Sequence, residues 1–261
     1  MLALLTLVAA VTPLFAQSAG ALIVAGGGTT GPDIVGPALE IAGGKEAVVA
    51  VLPQASAVSD AGDGSVQMWL NAGAREAHKV AFDDRAAARR ALERATMIWM
   101  PGGSQSRFMD AIRGTGLDDV IRERRLAGVA VGGTSAGAAV LSKVMITGDS
   151  DLQSVNAGKT VTRDGLGLWP EAIVDQHFLR RQRGNRLISA VVEHQRLVGV
   201  GIDESTAVIV RGTVLEVIGK SAVIVFDARR ASVQPAAAGA VIAATGVTMH
   251  VLRAGMKLDL Q

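Results

Sequence analysis

Val129-Ala130-Val131-Gly132-Gly133-Thr134-Ser135-Ala136-Gly137-Ala138-Ala139-Val140-Leu141 reads as a strand, a tight turn and the start of a helix. The apolar run stops at Gly132-Gly133, and a small, apolar, helix-like pattern begins directly after Ser135. Gly133-Thr134-Ser135-Ala136-Gly137 fits G-x-S-x-G, in which the flanking glycines leave room for a strained turn that lifts the serine hydroxyl above the sheet edge. The N–H groups that open the following helix, that of Ala136 among them, would point at the same spot and could stabilise a developing oxyanion. The same residues also suit an ordinary helix start with Ser135 as its N-cap. What decides between the two is the company that the rest of the chain brings to Ser135.

Working outward, the flanking segments alternate. Toward the N-terminus the pattern gives a strand over Ala21 to Ala25, a glycine turn over Gly26 to Gly31, a helix over about Asp33 to Ala42 and a strand over about Ala47 to Leu52. Then follow a helix at about Ser65 to Asn71, a short strand at about Lys79 to Phe82, a helix at about Arg85 to Arg94 and a strand from Met97 to Met100. After Pro101-Gly102-Gly103, two helical stretches, about Ser106 to Ile112 and Leu117 to Arg125, lead into the strand before Ser135. Apolar strands alternating with helical periods and punctuated by glycine predict an α/β fold, a mostly parallel sheet with helices on both faces. Past the elbow the pattern changes to a loop or irregular hairpin over about Asp149 to Pro170. A short strand ending at Asp175-Gln176-His177 and a helix at about Leu187 to Gln195 come next. Short strands at Val198 to Ile202, Ala207 to Val210, Val214 to Ile218, Ala222 to Phe226 and within Val241 to Val251 complete the chain.

Gly26 to Gly31 matches G-x-G-x-x-G between a strand and a helix, but the acidic residue that a dinucleotide site needs at the end of the next strand is missing. That strand ends Val51-Leu52-Pro53-Gln54. The turn is better read as one that brings backbone close to a site at the carboxyl edge of the sheet.

With 261 residues, 49% of them hydrophobic, the chain can bury a sizeable core. Met1 to Ala19 has the uncharged apolar run and small-residue ending of an export signal, though no Lys or Arg in its n-region; the alternative is a buried N-terminal element. The expectation is a signal peptide over 1–19, a secreted or periplasmic product and one catalytic domain over 20–261, without a membrane span after signal removal. A net charge of +2 gives no reason to expect a nucleic-acid partner. The absence of cysteine suits an oxidising compartment and rules out a disulfide framework or a Cys nucleophile. A homodimer is compatible with the sequence.

A nucleophilic serine needs a base, usually a histidine oriented by a carboxylate. Of the four histidines, His78 precedes a strand among polar residues, His194 lies late in a helix and His250 lies in an apolar strand. His177 instead closes a strand, where parallel sheets place active-site groups, and opens onto Arg180, Arg181, Arg183 and Arg186. Cations at a helix N-terminus oppose the helix dipole, so this run suggests a binding role rather than a solvated face. For the carboxylate the residues leave Asp203 and Glu204, which close a strand, and Asp149 and Asp151, which follow the elbow helix.

The chain resembles the cyanophycinases, aspartyl dipeptidase-like serine peptidases. The resemblance runs from Ala21 to about Arg253 and is carried by Gly26-Gly27-Gly28, Met100-Pro101-Gly102-Gly103-Ser104-Gln105, Gly133-Thr134-Ser135-Ala136-Gly137-Ala138, Asp175-Gln176-His177-Phe178 with the arginines, and Gly199-Val200-Gly201-Ile202-Asp203-Glu204. It implies a flavodoxin-like fold, like that of class I glutamine amidotransferase domains, with Ser135 as nucleophile, His177 as base and Glu204 as orienting acid. It also implies an oxyanion hole at Gly103 and Ala136, and hydrolysis of cyanophycin, an arginine-substituted polyaspartate, to β-aspartyl-arginine dipeptides without metal or cofactor. Substrate contacts are expected at Gln105, Thr134, Asp175, Gln176, Arg181, Arg183 and Arg186, with the arginines gripping substrate carboxylates and Asp175 meeting a substrate guanidinium. Substitution of those arginines would then cost little thermal stability. Ser104 departs from the family, which usually has an acidic or amide residue there. The other readings are a dipeptidase that cleaves after an N-terminal aspartate and a secreted binding module of the same fold that has lost catalysis.

Overall fold

The computed structural model describes residues 18–148, 150, 152–153 and 155–261. Nearly all of the expected export signal, and both Asp149 and Asp151, lie outside the described residues. Up to the elbow the order is β1 (Leu22–Ala25), α1 (Pro32–Ile41), β2 (Val48–Val51), α2 (Asp63–Ala72), β3 (Glu76–Lys79), α3 (Arg85–Arg94), β4 (Met97–Met100), α4 (Gln105–Ile112), α5 (Leu117–Leu126), β5 (Ala130–Thr134) and α6 (Ala136–Ala139). After it come β6 (Val144–Ile146), β7 (Thr162–Asp164), β8 (Ala172–Gln176), α7 (Gly184–Glu193), β9 (Val198–Ile202), β10 (Thr206–Arg211), β11 (Val214–Gly219), β12 (Ala222–Asp227), β13 (Ser232–Gln234), β14 (Ala243–Thr245), β15 (Thr248–Arg253) and β16 (Lys257–Asp259).

An eight-stranded sheet in the order β16-β11-β10-β1-β5-β4-β2-β3 forms the centre. Its β1-β5-β4-β2-β3 half is parallel, and β10, β11 and β16 extend it antiparallel. Strands β1, β2 and β4 are apolar and buried throughout because both faces are covered. Leu22 and Val24 of β1 point into one core with Ile98, Met100 and Val131, under α3 to α6, while Ile23 and Ala25 point into another with Val49, Val51 and Trp99, under α1 and α2. In that second core Trp69 and Trp99 meet edge to face, with ring centroids 5.3 Å apart.

A smaller sheet, β15-β12-β9-β8, stands beside the first. One of its faces adds Val174, Val200 and Val225 to the first core, and the other packs Ile173 and Ile224 against Leu187 and Val191 of α7. Among the described residues no helix is long and apolar enough to cross a membrane.

The structure differs from expectation in several places. β3 lies three residues earlier, because Val48 to Val51 pair with Glu76 to Lys79, and the Val80 N–H makes the last ladder bond, 2.9 Å to Val51 O. Phe82 lies beyond the strand and packs, half-buried, against the first core beside Phe108. The elbow helix α6 has only four residues. Its closing carbonyls are taken by the segment that follows β7: the N–H groups of Leu166, Gly167 and Trp169 donate to Val140, Ser142 and Leu141 O at 2.7, 3.1 and 2.8 Å. Beyond Phe226 the strands β13 and β16, which have little apolar alternation, were not expected; β16 is recruited by pairing with β11.

Candidate active site

Ser135 sits at the carboxyl end of β5 with φ 55° and ψ −116°, a region that costs a residue with a side chain roughly 1–3 kcal/mol. Its N–H donates to Ala25 O at 3.0 Å, and its carbonyl accepts from the N–H groups of Ala138 and Ala139 at 3.0 and 3.1 Å. The flanking glycines are required by close approach, since a Cβ on Gly137 would collide with Met100 O and one on Gly133 with Gly137 O. As the first residue of α6, Ala136 has no intrahelical acceptor for its N–H. Such a short helix adds little dipole, so what it offers an anion is that local N–H.

His177 follows the last residue of β8 at φ 49° and is 8% exposed. Its Nε2 lies 3.0 Å from Ser135 Oγ, and its Nδ1 lies 2.6 Å from Glu204 Oε1. A carboxylate that accepts from Nδ1 leaves the Nε2 lone pair facing the hydroxyl. The register explains the meeting: β8 and β9 are parallel with Gln176 opposite Ile202, so both chains leave the sheet together, one residue before His177 and two before Glu204.

The glycine turn after β1 forms the third wall. His177 N–H donates to Gly26 O at 2.6 Å and Ser205 N–H to Gly27 O at 2.9 Å. Gly27 and Gly28 have φ 105° and 67°; a Cβ on Gly27 would overlap the His177 ring, and one on Gly28 would come within 2.9 Å of Glu204 Cβ. The G-x-G-x-x-G match therefore lies against the histidine and its carboxylate.

Asp203 points away from the imidazole. Its Oδ1 accepts from the Leu179 and Arg180 N–H groups at 3.1 and 2.9 Å, and its Oδ2 accepts from the Ser221 hydroxyl at 2.8 Å. Burial alone would raise the Asp203 carboxyl, but bonds from Arg180 N–H, the Ser221 hydroxyl and the N–H groups of Glu204 and Leu179 outweigh it and hold the pKa below the usual carboxylate range. This residue clamps the turn after His177 to the end of β9. Sequence reasoning missed that role; the signal was a second carboxylate beside Glu204 at a strand end, with a side chain bound to point the other way.

The arginines divide. Arg180 and Arg181 are exposed, while Arg183 and Arg186 are buried. Arg186 grips Asp175 with Nε (2.7 Å to Oδ2) and with Nη2 on Oδ1. Arg183 Nη1 reaches Gln176 O at 2.7 Å and Asp175 Oδ1 at 3.5 Å. The Arg183 pKa is pulled down to about 10, by burial first and then by repulsion from Arg186, against the attraction of Asp175. The expectation that Asp175 faces a substrate guanidinium and Arg186 a substrate carboxylate therefore gives way to a buried ion cluster. The misplaced charge at the start of α7 is matched by an internal carboxylate. Removing one partner of such a pair strands a buried charge, at a cost of about 3–5 kcal/mol. Arg186→Ala is thus expected to lower the thermal unfolding midpoint by roughly 6–20 °C, contrary to the small effect read from sequence. An unchanged midpoint would return Arg186 to a role toward ligand alone.

Of the other expected residues, Gln105 is buried and donates from Nε2 to Ile146 O at 3.0 Å. Ser104, the departure from the family pattern, caps α4 by accepting from Arg107 N–H at 3.3 Å. Gly103 is exposed at φ 140°, in the loop beside Ser135, with no room for a Cβ above Ala55 O. Thr134 Oγ1, Gln176 Oε1 and Arg183 Nε are buried polar atoms without a hydrogen-bond partner among the described residues. Each belongs to a residue within one position of Ser135 or His177, or bonded to the chain there, and groups of this kind call for an explanation.

The model of peptidase family S51 matches residues 22–218. The cyanophycinase of Geminocystis herdmanii is 39% identical over 220 residues, 81% of this chain and 80% of that protein. The cyanophycinase of Synechococcus elongatus is 39% identical over 200 residues, 73% of this chain and 62% of that protein. Among solved structures, a peptidase from an acI-B1 actinobacterium superimposes with a TM-score of 0.65 at 20% identity, over 94% of this chain and 98% of that one. A putative peptidase E protein from Listeria monocytogenes gives 0.58 at 18% identity, over 78% of this chain and all of that one. These two likenesses bear on the fold alone.

Proposed function

The chain belongs to peptidase family S51, and from that premise we propose that this serine peptidase hydrolyses cyanophycin to β-aspartyl-arginine dipeptides through an acyl-enzyme. The observation that carries the proposal is the relay from Ser135 Oγ through His177 to Glu204, with links of 3.0 and 2.6 Å. Ser135 attacks the amide carbonyl carbon as its proton passes to His177 Nε2, and the imidazolium is held by Glu204 at Nδ1. The carbonyl oxygen becomes an oxyanion, received by the N–H groups of Ala136 and Gly103. Collapse of this intermediate breaks the C–N bond, and His177 returns its proton to the departing amine. Water, deprotonated by the same nitrogen, then releases the acyl group and restores Ser135.

The substrate carries a carboxylate and a guanidinium on every repeat. Exposed Arg181 suits the carboxylate, and the unspent polar atoms of Thr134, Gln176 and Arg183 suit the groups around the scissile amide. Names of the relatives favour the polymer over a dipeptide as substrate. Incubation with insoluble cyanophycin and, separately, with Asp-X dipeptides is expected to clear the polymer and yield a product with the mass of β-aspartyl-arginine. Cleavage confined to the dipeptides would replace this reading with that of an aspartyl dipeptidase.

A further inference from the structure

One cleft at the carboxyl edge of the sheet takes no part in the relay. It encloses about 340 Å³ between the ends of β2 and β3 and is walled by Pro53, Gln54, Ser56, Lys79, Phe82 and Asp83. Its inner wall is continuous with the loop that carries Gly103. Ala55, between Gln54 and Ser56, accepts from Ser104 N–H at 2.8 Å and lies directly under Gly103. A chain leaving Ser135 over Gly103 and Ser104 would therefore arrive at this cleft.

We infer that the cleft is a distal subsite for one arginine branch of the polymer, an inference that rests on the cyanophycin reading. Its walls match the two ends of that branch. Phe82 presents part of an aromatic ring, held by edge-to-face contact with Phe108 at 6.3 Å between centroids, and Asp83 is an exposed carboxylate beside it. A guanidinium binds such a ring face and such a carboxylate together. Lys79, at the end of β3, lines the same cleft, its Nζ 2.5 Å from Asp63 Oδ1. An ammonium has three donors, so Lys79 retains capacity for the branch's free α-carboxylate. A cation and an anion lining one cleft suit a zwitterion better than a simple anion or an apolar side chain.

The position also sets how far from the scissile bond the branch must be. From β5 the edge runs through β4 to β2 and β3; at about 4.8 Å per strand, the cleft lies roughly 10–14 Å from Ser135. An extended backbone covers that distance in about three or four residues, so the subsite is filled only by substrates longer than that.

The test compares β-aspartyl-arginine oligomers of two and of eight repeats, using Asp83→Lys, which reverses the charge, and Ser56→Trp, which fills the cleft. Both are expected to raise the ratio of KM for the long oligomer to KM for the short one about tenfold over the unmutated enzyme, the loss of one charge-assisted contact, with kcat for the long oligomer changed by less than threefold. Unfolding midpoints show that both variants are folded. A KM ratio within twofold of the unmutated enzyme in both variants overturns the subsite and leaves the cyanophycin reading standing. Failure of the unmutated enzyme to cleave either oligomer or the polymer overturns both.

Discussion

Replacing Ser135 by alanine is expected to lower kcat on cyanophycin on the order of 10⁶-fold, the scale found when a serine nucleophile that works as one unit with its base is removed. The effect should fall almost wholly on turnover. The hydroxyl is a half-buried group that among the described residues bonds His177 Nε2, at 3.0 Å, and the backbone bonds that hold the strained elbow come from the main chain of Ser135, which alanine keeps. The fold and polymer binding should therefore survive, as read by circular dichroism and by sedimentation with the insoluble polymer. Activity within tenfold of the unmutated enzyme would remove Ser135 from the role of nucleophile.

The second large effect separates two neighbouring carboxylates. Glu204→Gln keeps the size of the side chain but can present an amide N–H to His177 Nδ1, favouring the tautomer whose proton sits on Nε2 and faces Ser135. Turnover should fall by up to about four orders of magnitude, with a much smaller change in KM. Asp203→Asn should do far less to turnover, because Asp203 bonds the Leu179 and Arg180 N–H groups and the Ser221 hydroxyl rather than the imidazole. Its effect belongs to stability. A carboxyl held below its ordinary value contributes stability that is present above the unfolded value of about 3.9 and is lost as pH falls through the lowered folded value. In Asp203→Asn, acid unfolding should therefore lose part of its dependence on pH in that window. If Asp203→Asn proves as crippled in turnover as Glu204→Gln, the two have been assigned the wrong way round.

Much of the parallel half of the fold was legible in the sequence. The runs at Leu22, Val48, Met97 and Ala130 are short, apolar and flanked by helical periods, and strands buried on both faces leave that trace whatever surrounds them. G-x-S-x-G located the nucleophile for a local reason: the strained turn needs its glycines within two residues of Ser135. His177 was picked out by its place at a strand end, and Glu204 by resemblance.

What the sequence could not settle depends on groups far apart in the chain. The direction of a side chain at the start of α7 is decided by a carboxylate eight to eleven residues away on β8, so Arg183 and Arg186 read as a binding cluster until Asp175 was seen between them. The glycine turn at Gly26–Gly28 matched a nucleotide motif because both need backbone at close range. Only the register of β1 beside β5, and the exit of β8 and β9 together, showed that what it approaches is the His177 ring and Glu204. Local periodicity reports how a segment buries itself against water. Which buried charge meets which partner is an electrostatic question between segments, and the tertiary structure alone answered it.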